Sequence, residues 1–215
     1  AASDVYKRQG ETTATVRVAD TSLSGATFAN DYATAAEEYT GEQIVKDVTK
    51  LGDVYISGKK LDSSNYKIEF GKNVDAGKDK GVIRIVGQNS YKNSVAEVTF
   101  NINKAVVSAD TVTYNKVVEK KDTATPSAYK DAIGLVVKAK NANGKEFTLV
   151  EGTDYEFTVL KDNVNVTPET KVLTATLKLK GNYNFDKKVW TGVIAKESTS
   201  TKAVSYTHLR AHETV

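Results

Sequence analysis

The residues that could do chemistry in this chain are few. Two carboxylate pairs stand close in sequence, Glu37-Glu38 and Glu151 with Asp154. Paired acids can serve as a general acid and base when their environments separate their proton affinities. Both pairs lie in polar stretches, where adjacent acids form a solvated face. Two loops offer oxygen ligands of the kind a hard cation takes: Asn73, Asp75 and Asp79 in one, Asp162, Asn163 and Asn165 in the other. Neither has EF-hand spacing, and loop Asp and Asn are ordinary turn formers. The chain has no cysteine, and its two histidines, His208 and His212, stand near the C-terminal end. Without a central His or Cys there is no Ser-His-Asp or Cys-His set. Zero cysteine also excludes disulfides and thiolate metal sites, and it leaves the compartment open. Trp190 and the tyrosines could stack on a sugar, but Trp190 sits among apolar strand neighbours in KVWTGVI, which favours a core position. The reading is therefore of no enzyme, with no catalytic, cofactor-binding or metal-binding residues assigned and no cofactor required.

Composition narrows the partners. Hydrophobic residues at 40% and charged residues at 27% fit a globular chain rather than a disordered one. The apolar runs are too short for a membrane span. Lysines are interspersed with acids, and outside the two ends only Arg17 and Arg84 supply guanidinium groups. Nucleic-acid binding calls for clustered positive charge and bidentate Arg, so no nucleic-acid partner is expected.

The pattern that must position any site is β. Tyr66 to Phe70 alternates, with Tyr66, Ile68 and Phe70 on one face. Gly81 to Val86 sets Ile83 and Ile85 against Val82, Arg84 and Val86, and Val95 to Ile102 sets Ala96, Val98, Phe100 and Ile102 together. In Val172 to Leu179, Leu173, Ala175, Leu177 and Leu179 share a face opposite Thr174, Thr176 and Lys178. Thr15 to Val18, Gln43 to Val48, Val54 to Ile56, Thr111 to Val118, Ile133 to Ala139, Phe147 to Val150, Tyr155 to Leu160 and Val189 to Ile194 are further expected strands. Ala33 to Glu38 has some helical propensity, and Glu119 to Lys130, polar and holding Pro126, reads as a loop. Asn141-Ala142-Asn143-Gly144 is the clearest hairpin signal.

The order of these pieces repeats. Gly58 to Ile102 runs as turn, Tyr-headed strand, Gly-bearing turn, alternating strand, Gly-to-Tyr turn and alternating strand, and Gly144 to Ile194 runs the same way. The expected fold class is all-β, with two tandem β-sandwich modules. The expected boundaries are 10–18 for the last strand of a truncated preceding module, 19–104 for module 1, 105–197 for module 2, and 198–215 for a linker plus tail.

Four motifs stand out: FTLVEGTDY at Phe147 to Tyr155, NVDAG at Asn73 to Gly77, GQNSY at Gly87 to Tyr91 and GNY at Gly181 to Tyr183. On these motifs the chain resembles a tandem immunoglobulin-like repeat of bacterial cell-surface and secreted proteins, which implies two tandem immunoglobulin-like β-sandwich modules. Module 1 departs from the pattern with Ser64-Asn65-Tyr66, and module 2 replaces the Asn-x-x-x-Gly turn with Val164 to Glu169. Its opening Tyr114-Asn115-Lys116 lacks the glycine of Tyr39-Thr40-Gly41. The resemblance implies a spacer or stalk segment of a larger extracellular protein. The alternatives are an adhesion or carbohydrate-binding module, or an accessory domain of a secreted hydrolase. Implied partners are neighbouring repeats in the same chain, or a glycan, host or cell-wall surface, with the segment itself monomeric. Some surface folds of this kind carry a Lys–Asn isopeptide bond, which sequence alone does not pair. Tyr66, Tyr91, Tyr155 and Tyr183 recur at equivalent places, as a structural corner would require.

Both ends resemble translated sequencing-adapter DNA. Asp4 to Gln9 back-translates as GAT GTG TAT AAG AGA CAG, and Val204 onward reads the reverse complement. Residues 1–9 and 204–215 are thus expected not to belong to the natural segment. Setting them aside takes the formal charge from +3 to about +2.

Overall fold

The computed structural model describes residues 21–115, 126–159, 172–186 and 191–195. The expected strand at Thr15 to Val18, both end segments, Trp190, His208, His212, the loop with Asp162, Asn163 and Asn165, and Val164 to Glu169 lie outside them.

The first half begins with the short strands β1 (Thr27–Phe28) and β2 (Glu37–Glu38), a single helical turn α1 (Val48–Leu51), and the hairpin β3 (Val54–Ile56) and β4 (Lys59–Lys60). Three longer strands follow: β5 (Tyr66–Phe70), β6 (Gly77–Gly87) and β7 (Val95–Asn103). The second half holds β8 (Ala105–Val107), β9 (Val112–Thr113), the helix α2 (Pro126–Ile133), β10 (Val136–Lys140), β11 (Glu146–Thr148), β12 (Tyr155–Val159), β13 (Val172–Leu179), β14 (Tyr183–Phe185) and β15 (Thr191–Ala195).

The chain is mostly β. Among the described residues the strands form four sheets, ordered β1-β3-β4, β2-β7-β6-β5, β11-β10-β8-β14 with β9 also on β10, and β12-β13-β15. Most pairs are antiparallel, whereas β2 runs parallel to β7 and β14 parallel to β8. The alternation in β6 and β7 is realised: Ile83 and Ile85 are fully buried, as are Phe100 and Ile102, while Arg84 and Glu97 pair across the outer face at 2.9 Å. Val54 of β3 joins Ile85 of β6 and Ala96 of β7 in one apolar cluster, so the two sheets of the first half meet over a shared layer. A second cluster runs from Phe100 and Ile102 through Tyr39 and Ala105 to Val137, Phe157 and Leu177, so buried apolar contact continues from one half into the other.

Several expectations change, among them the strand expected over Thr111 to Val118, of which Val112–Thr113 is paired, after a 3-10 turn over Ala109–Thr111. Gln43 to Val48 is not a strand. Ile44 and Lys46 do point inward and Val45 outward, which is the alternation a strand shows, but the backbone bonds go to a loop. Ile44 N–H donates to Asn73 O at 3.1 Å, and the chain then turns into α1, where Asp47 Oδ1 accepts from Thr49 N–H at 3.0 Å. Glu119 to Lys130 is not all loop, and the strand expected from Ile133 starts later. Pro126 opens α2 instead of breaking structure, because the first helical position needs no N–H partner. The helix ends at Ile133, Gly134 takes φ of +57°, and β10 begins at Val136. The helical turn at Ala33 to Glu38 falls earlier, as a 3-10 turn over Asp31–Ala33, and Glu37–Glu38 pairs with Ile102 and Asn103 as β2. β6 also starts at Gly77 rather than Gly81, with an irregularity between the two that lets Asp79 take a positive φ.

Candidate functional site

The acids nominated from sequence do not converge. Glu37 Oε1 accepts from Lys46 Nζ at 2.9 Å, while Glu38 Oε1 accepts from Asn103 Nδ2 at 2.7 Å. Glu151 pairs with Lys130, and Asp154 Oδ2 accepts from Val150 N–H at 2.8 Å. Each carboxylate is held by its own partner, an arrangement that fastens loops and leaves no shared proton between two acids.

The nominated cation loop resolves in the same way. Asn73 is buried, and its amide is fully used: Nδ2 donates to Ile44 O at 3.0 Å and Val82 O at 3.1 Å, and Oδ1 accepts from Val82 N–H at 2.8 Å. Its φ of +46° is one that Asn tolerates. Asn73 therefore staples the extended 43–46 segment to β6. Asp75 is exposed, and Asp79 accepts from the Thr99 hydroxyl at 3.3 Å. Among the described residues no group of three or more His, Cys, Asp or Glu side chains is placed to hold a metal.

An open depression of about 550 Å³ is lined by Lys130, Glu151, Gly152, Glu156, Phe157 and Thr158. Its one ring, Phe157, is 4% exposed and belongs to the core, so it offers no face for stacking on a sugar. The recurring tyrosines are likewise turned inward: Tyr155 and Tyr183 are buried, and Tyr66 and Tyr91 are half-buried against the apolar core.

Two arrangements that the sequence reading missed are better built. The first surrounds Lys46, whose side chain has no exposure. Its ammonium donates to Tyr32 O at 2.8 Å, Ala35 O at 2.7 Å and Glu37 Oε1 at 2.9 Å, and it lies 4.6 Å from the ring centres of both Tyr32 and Phe100. Three donors meet three oxygens, and two aromatic faces close the cage. None of the three oxygens belongs to an asparagine. The signal was present in the inward alternation of Ile44 and Lys46, which places a lysine where an apolar residue is expected.

The second lies where the halves meet. Lys104 alone separates β7 from β8. Tyr39 from the first half packs on Phe147 at 5.1 Å and meets Tyr183 edge-on at 5.7 Å. Asn141 is buried, with Nδ2 donating to Tyr39 O at 2.9 Å and Oδ1 accepting from Lys145 N–H at 2.9 Å. Lys145 Nζ donates to Thr40 O at 2.7 Å, and Ala76 N–H donates to Asn182 Oδ1 at 2.7 Å. Burial, and then a hydrogen bond with Tyr39, push the Tyr183 phenol well above its ordinary range.

Tyr155 and Tyr66 are also raised, each chiefly by burial. A phenol that holds its proton more tightly when folded contributes stability in full below the unfolded value of about 10. That contribution is lost as pH rises toward the folded value. The melting temperature is therefore expected to be level near neutrality and to fall above about pH 10, in step with tyrosinate absorbance. Tyr183→Phe should make that fall shallower. An equally steep fall in the variant would show that Tyr183 is not the group responsible.

No protein-family model, curated protein or solved structure matches the chain.

Proposed function

We propose that the chain is a non-catalytic spacer segment of a larger bacterial surface or secreted protein, made of two tandem immunoglobulin-like β-sandwich modules at 19–104 and 105–197. The observation that carries the reading is the repeated order of strand pairing. In the first half, β1-β3-β4 accompanies a sheet in which β7, β6 and β5 are neighbours. In the second half, β9, β10 and β11 pair in the same succession, beside β15, β13 and β12. The equivalence extends to register: Phe28 opposes Val54 as Val112 opposes Val137. Each half also fastens its incoming chain at or just beyond its own Gly-to-Tyr corner. Leu23 N–H donates to Ser94 Oγ at 2.7 Å, and Ala105 N–H donates to Asn182 O at 3.1 Å. A unit that repeats its fold and spends its polar side chains on turns, caps and joints suits a part whose task is to hold distance.

The expected result on a glycan array, and in pull-downs from host and cell-wall extracts with residues 10–203, is no reproducible binding. Binding that is saturable and abolished by one loop substitution would sink the spacer reading and favour an adhesive module.

A further inference from the structure

We propose that the hairpin tip Asn141–Lys145 is a clamp that fixes the angle between the two halves of the chain, with Asn141 as its pin. The inference needs only the two halves and their contacts, and it holds for a stalk or an adhesive module alike. The two halves share buried apolar contact, but such contact is non-directional and does not by itself fix the angle between units joined by a single residue. Here one hairpin differs between the halves at the place where a change of angle would be stopped. The β3–β4 hairpin closes with the two-residue turn Ser57-Gly58, between Ile56 and its partner Lys59. The β10–β11 ladder ends at Lys140 and Glu146, leaving residues 141–145 as a longer tip.

That tip is spent on the preceding half. Asn141 Nδ2 reaches Tyr39 O, 102 positions earlier in the chain. Ala142 N–H donates to Glu38 Oε2 at 3.3 Å, and Lys145 Nζ donates to Thr40 O. All three acceptors lie on the run 38–40 that leaves β2. The Asn141 amide works in two directions, since its oxygen braces its own hairpin through Lys145 N–H while its nitrogen holds the other half. Beside the pin, Phe147 packs on Tyr39 and stands 3.5 Å from where a Cβ on Gly41 would lie. A separate attachment, Ala76 N–H to Asn182 Oδ1, is made from another loop of the first half. Two attachments on different loops resist rotation about Lys104, which one attachment alone would allow.

Because the chain has no cysteine, Val95→Cys on β7 and Lys178→Cys on β13 give two unique sites for nitroxide labels, both exposed. Pulsed electron paramagnetic resonance on the full chain then reads the distance between the halves. The expected result is a narrow single distribution that widens at least about twofold in Asn141→Asp, since the apolar contact that remains between the halves is non-directional. Asn141→Asp keeps the oxygen that braces Lys145 N–H and replaces the donor to Tyr39 O by a second acceptor. Circular dichroism should stay that of the parent. Should Asn141→Asp unfold the second half, Glu38→Ala with Lys145→Ala removes the other two arms of the clamp, together with the Glu38 bond to Asn103 inside the first half, and the same widening is expected. A broad distribution in the parent overturns the inference. So does a folded Asn141→Asp chain as narrow as the parent or, where that variant unfolds, a Glu38→Ala/Lys145→Ala chain that stays as narrow.

Discussion

Replacing Lys46 with Met is expected to cost about 3 kcal/mol of stability, because it takes the donor from two part-buried backbone oxygens and a carboxylate. Methionine matches the lysine stem out to Cε, so the apolar part of the side chain is kept, while the ammonium that lies over the Tyr32 and Phe100 rings is removed. Tyr32 O and Ala35 O each lose their donor, and Glu37 loses its ionic partner. Glu37 is one-third exposed and can hydrate, so the larger share of the loss falls on the two carbonyls. The outer pair Lys67–Glu69 gives the contrast. Both side chains are about half exposed, so Lys67→Met should change stability by no more than about 1 kcal/mol. Salt separates the two further. Screening weakens an exposed pair and barely reaches a group with no exposure. Urea unfolding of both variants at low and high sodium chloride checks this. The Lys46→Met loss should persist at high salt, and a loss below about 1 kcal/mol would mean that the cage does not hold the first half together.

The same residue marks the limit of what the sequence discloses. Strands with one wet and one dry face were legible, because β6 and β7 carry the period-2 pattern in their side chains alone: Ile83 and Ile85 against Arg84, Phe100 and Ile102 against Glu97 and Thr99. The segment holding Lys46 carried that pattern too, but its hydrogen bonds go to Asn73, which no local period reveals. The acceptors that make a buried lysine tolerable are main-chain carbonyls of Tyr32 and Ala35, placed by a 3-10 turn and not by any side-chain motif. α2 was hidden by a proline whose effect depends on position: inside a helix it breaks, and at the first turn it starts. The junction was hidden by distance along the chain, since Asn141 read as a turn former and its second task is set by a tyrosine far upstream. Of the nominated site residues, Asn73 was legible as a turn residue and illegible as a staple, for the same reason.

Gly87→Ala is expected to be the most damaging of the glycine substitutions at the repeated corners, and the comparison with Gly181 says why. Both glycines open a Gly-to-Tyr turn, in GQNSY and in GNY, and the motif suggests one shared requirement. The two positions require glycine for different reasons. A Cβ on Gly87 would lie 1.9 Å from the carbonyl oxygen of Tyr91 and 2.9 Å from that of Ser94. The obstacle is main chain, held by Gly87 N–H to Ser94 O at 2.8 Å and Tyr91 N–H to Gln88 O at 2.9 Å, so it cannot rotate aside. Relief requires opening the corner, and a loss of about 3 kcal/mol or more is expected. Gly181 has no atom within 4 Å of its would-be Cβ, but its φ is +56°. There the obstacle is the left-handed backbone, worth about 1 kcal/mol to alanine and close to nothing to asparagine. The two mechanisms therefore separate on one residue type. Gly181→Asn should melt within a degree or two of the parent, whereas Gly87→Asn should melt as low as Gly87→Ala or lower. Equal losses at Gly87 and Gly181 for both substitutions would show that one conformational requirement governs both corners, and that the close approach at Gly87 relaxes without cost.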